Sequence, residues 1–296
     1  MLICILAVLL AFAAAFGAFE YSQKKAAEAA AIAAAEKQAE LEEALRLAEA
    51  EADRLAAEAE KAAEEARLAA EAEEKAKKEA EAKAQSQGGP KTIYLTFDDG
   101  PCIYTPDLLE VLDEYGVKVT FFVTYNHPSC MKYMAQAAKA GHAIGVHTYS
   151  HVYSSIYTST DAYWEDFEKM QNVIYENTGI ETKIFRFPGG ASNLVSKKYC
   201  EGIMTDLVAQ SKEKGLCYFD WNIDSGDTTA ANTAEDIANI METNIEKVKN
   251  PVVLQHDIKP KSIEAVRMVI EWALEKGYKF DALSESSPVC HHNVLN

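Results

Sequence analysis

The stretch TIYLTFDDGP, residues 92–101, reads as a buried strand brought to a sudden stop. Ile93, Leu95 and Phe97 alternate with Tyr94 and Thr96, the period-2 pattern of a pleated strand rich in β-branched and aromatic residues. Asp98 and Asp99 follow at once, and Gly100-Pro101 turns the chain away. Taken alone, an Asp-Asp-Gly tripeptide specifies no more than a turn, because Asp suits turns and helix caps. Two carboxylates crowded at a strand end nevertheless repel one another, and a bound cation is the usual physical reason for such crowding. That reading requires further ligands elsewhere in the chain.

Beyond residue 90 the chain alternates strand-like and helix-like segments. Strands are expected over 91–97, 118–124, 143–147, 183–187, 216–223, 251–256 and 278–283. Helices are expected over 105–115, 129–140, 160–177, 195–213, 232–247 and 261–276. This alternation predicts an α/β fold of parallel strands with crossover helices, as an open sheet or a barrel. Active sites in such folds gather at the C-terminal ends of the strands. Five expected strands end in charged or titratable groups: Asp98 and Asp99; His147 and His151 in HTYSH; Arg186 in RFPGG; Asp224 after CYFDWNI; His256 and Asp257 in QHD. One such ending is ordinary, but five that converge on one mouth are hard to explain as packing.

His147 and His151 are four apart, a spacing that directs two imidazoles at one ion from a single turn or tight loop. A His pair alone is more often a surface coincidence. With one Asp from another strand end it becomes a two-His, one-carboxylate set. Three protein ligands leave positions open for water and substrate, the form of a catalytic site. Only one of Asp98 and Asp99 is needed as a ligand, and the other is free to act as a base on water.

These motifs, in this order, resemble the polysaccharide deacetylases of the NodB-homology type, carbohydrate esterase family 4. TFDDGP and HTYSH carry the resemblance most specifically; RFPGG and LQHD support it, and DWNIDSGDT is the loosest match. The resemblance implies a distorted (β/α) barrel, a divalent metal, most commonly Zn²⁺ (with Co²⁺ or another divalent ion as alternatives), and removal of acetyl groups from N-acetylglucosamine polymers. It implies Asp98 as general base, Asp99 with His147 and His151 as metal ligands, Arg186 orienting the base, and His256 as general acid tuned by Asp224. It further implies that Leu254 lines the acetyl-methyl pocket and that the Gly189 N–H holds the oxyanion. Two departures stand out. Gly189 occupies a place where many members carry Tyr, and Asp227-Thr228 replaces a frequent Asp-Trp, which removes an aromatic wall. Trp221 offers a stacking surface for substrate in its stead, although a strand Trp more often packs in a core.

The rest of the chain sets the context. Residues 2–19 are uninterruptedly apolar, so 1–19 is expected to be a signal sequence or a membrane anchor, with the small residues Ala13–Ala15 offering a cleavage site. Residues 20–88 are almost entirely strong helix formers and read as a helical stalk of roughly 90 Å. Its large apolar residues are too sparse for more than weak self-association as a coiled coil. QSQGGP, residues 85–90, breaks the helix, and a catalytic domain is expected over 89–296. The net charge of −17 argues against a nucleic-acid partner. His127 and His142 are expected to be packing or surface groups. CHH, residues 290–292, is expected to lie in a disordered tail. Export permits disulfides among Cys102, Cys130, Cys200, Cys217 and Cys290, but their odd number leaves at least one free. The resulting expectation is an extracytoplasmic enzyme, held at the envelope or secreted, acting on acetylated wall glycan. Its rivals are a chitin-oligomer deacetylase, an acetylxylan esterase and a catalytically silent carbohydrate-binding barrel.

Overall fold

The computed structural model describes residues 17, 20–25, 37–38 and 91–296. The chain divides into two compact units, 1–77 and 78–296. In the first, the described residues are helical. The expected leader (1–19) and stalk (20–88) otherwise lie outside the described residues, and among those described no helix is long and apolar enough to cross a membrane.

The second unit is an α/β barrel. Its strands are β1 (Thr92–Asp98), β2 (Thr120–Val123), β3 (Ala143–Val146), β4 (Ile184–Phe185), β5 (Cys217–Tyr218), β6 (Ile223–Asp224), β7 (Val252–His256) and β8 (Lys279–Phe280). Its helices are α1 (Thr105–Glu114), α2 (Met131–Lys139), α3 (Tyr153–Ile156), α4 (Thr160–Thr178), α5 (Ile203–Glu213), α6 (Ala234–Ile245) and α7 (Pro260–Glu275). The strand order is β5-β4-β3-β2-β1-β7-β6, with β8 pairing β1, and every pairing is parallel. The two ends of this path, β5 and β6, are parts of one extended segment. Its first half bonds to β4 (Phe219 N–H to Phe185 O, 2.9 Å) and its second half to β7 (Asn222 N–H to Val252 O, 3.1 Å), so a single stretch closes the ring. The strand expected over 216–223 is therefore split between two partners.

Register sorts the side chains. Ile93, Leu95 and Phe97 face the helices and join the large core, while Tyr94, Thr96 and Asp98 face the barrel interior. Tyr94, Phe122, Ile184, Phe219 and Val252 form a small interior cluster, to which Leu283 and Cys290 add. Above it lies Arg186, wholly buried, its guanidinium 4.3 Å from the Phe122 ring centre. Gly145 belongs to this interior: a Cβ there would meet the Phe122 ring at 2.6 Å. Polar ends of the same strands complete the top layer.

Two expectations fail for identifiable reasons. The helix expected over 195–213 begins only at Ile203, because Gly202 adopts a left-handed φ of 81° and separates it from a short 3₁₀ turn at Ser196–Lys198. The tail is ordered: Cys290 is buried, His291 stacks on Tyr218 at 3.7 Å, and Asn296 bonds Gly202, Ser196 and Thr205. All five described cysteines are free thiols. His142 packs as expected, buried and accepting the Val119 N–H.

Candidate metal centre and active site

The top of the barrel gathers groups from five strand ends. Asp98 and His256 are register partners on β1 and β7. Pairing of Val146 with Phe185 sets His147 beside Arg186. Asp99 follows β1 in a left-handed conformation (φ 72°), and Thr148 and His151 share that conformation (φ 70° and 52°). Non-glycine residues pay a steric cost there, and such strain concentrates at functional sites. The HTYSH loop is held in place by Asp166 of α4, whose carboxylate accepts the Tyr149 and Ser150 N–H groups at 2.6 and 3.1 Å.

Asp99, His147 and His151 offer three ligand atoms within 4.8 Å of one another. Asp99 Oδ1 lies 3.8 Å from His147 Nε2 and 3.5 Å from His151 Nε2, and it is buried with no hydrogen-bond partner. An orphaned buried carboxylate oxygen facing two imidazoles fits a cation between them. His147 Nδ1–H donates to the Arg186 carbonyl at 2.9 Å, which leaves the Nε2 lone pair facing the site. Burial, and next the neighbouring His151, hold the His147 pKa down at about 3, so the imidazole stays neutral, as a ligand must be.

Asp98 sits beside this cluster, its Oδ2 3.5 Å from His147 Nε2. Its other oxygen accepts from Arg186 Nη1 at 2.8 Å. Arg186 is itself fixed by Thr96 Oγ1 (2.7 Å), the Phe219 carbonyl (2.8 Å) and the Asp220 carbonyl (2.9 Å). Burial pushes the Asp98 pKa above the ordinary carboxylate range, and the Arg186 charge opposes that rise. The outcome is a carboxylate of raised basicity, held in one orientation.

His256 also borders the cluster, its Nε2 3.9 Å from Asp99 Oδ2. Its Nδ1–H donates to Asp227 Oδ1 at 3.0 Å, and its backbone N–H reaches Asp227 Oδ2 at 2.8 Å. Ser262 Oγ donates to the same oxygen at 2.7 Å. Burial disfavours the imidazolium, but the hydrogen bond and charge of Asp227, with Asp98 and Asp99, outweigh it and raise the His256 pKa to about 9. Behind it, buried Asp257 accepts from Thr105 Oγ1 at 2.5 Å and lies where a Cβ on Gly100 would stand, which explains the glycine of the first motif.

The expected partnership of Asp224 with His256 is not found. Register sets Asp224 level with Leu254, one layer below His256, and its carboxylate accepts the Gly226 N–H at 2.8 Å. The turn at Gly226 (φ 72°) then lifts Asp227 to the imidazole. Leu254 is buried on the interior face. Trp221 is half-buried, 5.6 Å from the Arg186 guanidinium and edge-on to His292 at 4.7 Å. Gly189 is exposed with φ 77°, and its N–H makes no hydrogen bond among the described residues. Its loop is tied down by buried Asp220, which accepts the Ala191 and His292 N–H groups at 2.8 and 2.7 Å.

Residues 85–202 match the family described as polysaccharide deacetylase. A peptidoglycan-N-acetylglucosamine deacetylase of Bacillus cereus is 33% identical over 203 residues, covering 67% of this chain and 71% of that protein. The chain belongs to the polysaccharide deacetylases. The catalytic domain of a peptidoglycan N-acetylglucosamine deacetylase from Eubacterium rectale superposes with a TM-score of 0.69 at 48% identity, covering 70% of this chain and 95% of that one. The structure of a polysaccharide deacetylase from Bacillus cereus superposes with a TM-score of 0.58 at 31% identity, covering 68% of this chain and 96% of that one. The parallel, curled barrel is thus the deacetylase fold, and the family's amide-cleaving chemistry is that of a metal-dependent hydrolase.

Proposed function

We propose that this deacetylase removes acetyl groups from N-acetylglucosamine in peptidoglycan, outside the cytoplasm. The observation that carries the reading is the juxtaposition of an Arg-oriented carboxylate, Asp98, and a carboxylate-paired imidazole, His256, beside the Asp99–His147–His151 cluster. Peptidoglycan is favoured as substrate by the activities of its relatives in Bacillus cereus and Eubacterium rectale.

Asp99, His147 and His151 would hold a divalent cation, Zn²⁺ by preference for a two-His, one-carboxylate set, with Co²⁺ able to serve. Such a cation polarises an acetyl carbonyl and makes nearby water more acidic. Asp98 accepts a proton from the attacking water on its free Oδ2 while Arg186 fixes its Oδ1. The Gly189 N–H donates to the oxygen that gains charge as the carbonyl carbon becomes tetrahedral. Leu254 provides apolar surface for the acetyl methyl group, and Trp221 a stacking face for sugar. His256, kept protonated by Asp227, donates its proton to the departing amine.

Acetate release from purified peptidoglycan, chitin oligomers and acetylxylan tests the reading. The fastest release is expected from peptidoglycan, abolished by a chelator and restored by Zn²⁺ or Co²⁺. Preference for chitin or xylan would replace the substrate assigned, and no release from any of them would favour a silent carbohydrate-binding barrel.

The proposed organisation is a leader over 1–19 that anchors the chain or directs export, a helical stalk over 20–88 with at most weak self-association, and a catalytic domain over 89–296. A protein beginning at Lys91 should then fold and retain its turnover on soluble oligomers. Loss of folding, or of turnover with metal bound, would show that the preceding residues do more than space the domain.

A further inference from the structure

Helix α3 follows the second histidine directly and carries Tyr153 at its first position. The ring meets His151 edge-on, with centres 5.6 Å apart, and Tyr157 in the same manner at 5.5 Å. Tyr157 is wholly buried and donates its hydroxyl to the Pro188 carbonyl at 2.7 Å, which ties α3 to the loop bearing Gly189. The Tyr153 hydroxyl is therefore held at a defined place. A Cβ built on Gly189 would lie 2.7 Å from this oxygen. The phenol thus occupies the space in which a side chain at 189 would begin, and glycine there, already favoured by its left-handed φ, is what admits it.

Neither donor is used among the described residues. The Tyr153 hydroxyl and the Gly189 N–H make no hydrogen bond among the described residues. A half-buried phenol beside an exposed backbone N–H, next to the cluster, leaves two donors free to meet one ligand oxygen. We infer that Tyr153 is a catalytic residue whose hydroxyl, together with the Gly189 N–H, donates a hydrogen bond to the carbonyl oxygen as it becomes an oxyanion. The inference rests on the deacetylase reading and assigns a side-chain donor to it. No proton is transferred in this role: the phenol keeps its O–H, and the acetyl oxygen gains a second donor.

Tyr153→Phe tests it, because the ring and its contacts with His151 and Tyr157 remain and only the hydroxyl is lost. Four quantities are measured in the full chain: metal content, kcat and KM for acetate release from N-acetylglucosamine tetramer, and Kd for the same tetramer in an Asp98→Asn background. Metal content and Kd are expected to be unchanged, while kcat falls on the order of 10²-fold at constant KM, the usual worth of one oxyanion donor. Unchanged kcat in an active protein overturns the inference. So does a raised KM and Kd at constant kcat, since that would mark a ground-state sugar contact. If the wild type releases no acetate at all, the deacetylase reading fails and this role falls with it. The double variant Tyr153→Phe/Gly189→Ala gives an independent check: removing the hydroxyl should relieve part of the Gly189→Ala defect, and strictly additive defects would deny that the two groups share one space.

Discussion

Asp98→Asn is expected to keep its metal and to lose on the order of 10²–10⁴ in kcat, the usual contribution of a positioned general base. Asp99→Asn is expected to fail differently, by weakening metal binding, so that part of its activity returns at high metal concentration. The two residues are adjacent, yet the structure gives them opposite surroundings. Asp98 lies on the interior face of β1 with one oxygen committed to Arg186 at 2.8 Å. Asp99 has left the strand in a left-handed turn, and its Oδ1 faces two imidazoles with no hydrogen bond of its own. A carboxylate already bonded to a guanidinium is a poor choice of ligand and a well-oriented base, whereas an orphaned one has the reverse character. Metal content measured on both variants decides between them. Loss of metal in Asp98→Asn with retention in Asp99→Asn would exchange the two roles.

The strand ends were legible because they are local. An alternating run followed by Asp, His or Arg announces both a strand and the layer in which its last side chain stands. Parallel pairing then brings Asp98, His147, Arg186 and His256 together without further instruction. Partners contributed by turns and helices were not legible in this way. Asp227 reaches His256 only because β6 stops at Asp224 and Gly226 reverses the chain, and a strand expected to run over 216–223 gives no hint of that reach. Asp166 is an ordinary polar residue in the helical pattern of α4, and only the folded loop reveals that it holds Tyr149 and Ser150. Tyr153 carries no sequence signal, and only the folded chain shows its hydroxyl 2.7 Å from where a Gly189 Cβ would stand. The tail escapes a sequence reading for a similar reason: chain ends are commonly disordered, but here Cys290 joins the interior cluster and Asn296 is bonded to the start of α5.

Asp227→Asn is expected to move the alkaline limb of the kcat/KM profile to lower pH, and Asp224→Asn is expected to leave it in place. In the wild type, burial disfavours the charged His256, but the hydrogen bond and charge of Asp227, helped by Asp98 and Asp99, reverse this and raise its pKa to about 9. An amide at 227 can no longer supply the negative charge, so burial dominates and the imidazole loses its proton around or below the ordinary 6.5. At pH 8 the proton needed by the departing amine is then mostly absent, and the rate should fall on the order of 10- to 100-fold from this cause alone. His256→Ala removes the acid altogether and should lose turnover with metal retained. The sign also fixes a stability effect. Because the folded pKa of His256 is raised, the stabilisation it gains from Asp227 is complete below about pH 6.5 and is lost as pH rises through about 9. The stability gap between wild type and Asp227→Asn, read from denaturant midpoints, should therefore narrow across that window. A limb that moves in Asp224→Asn instead would return the tuning role to Asp224, against its present bond to the Gly226 N–H.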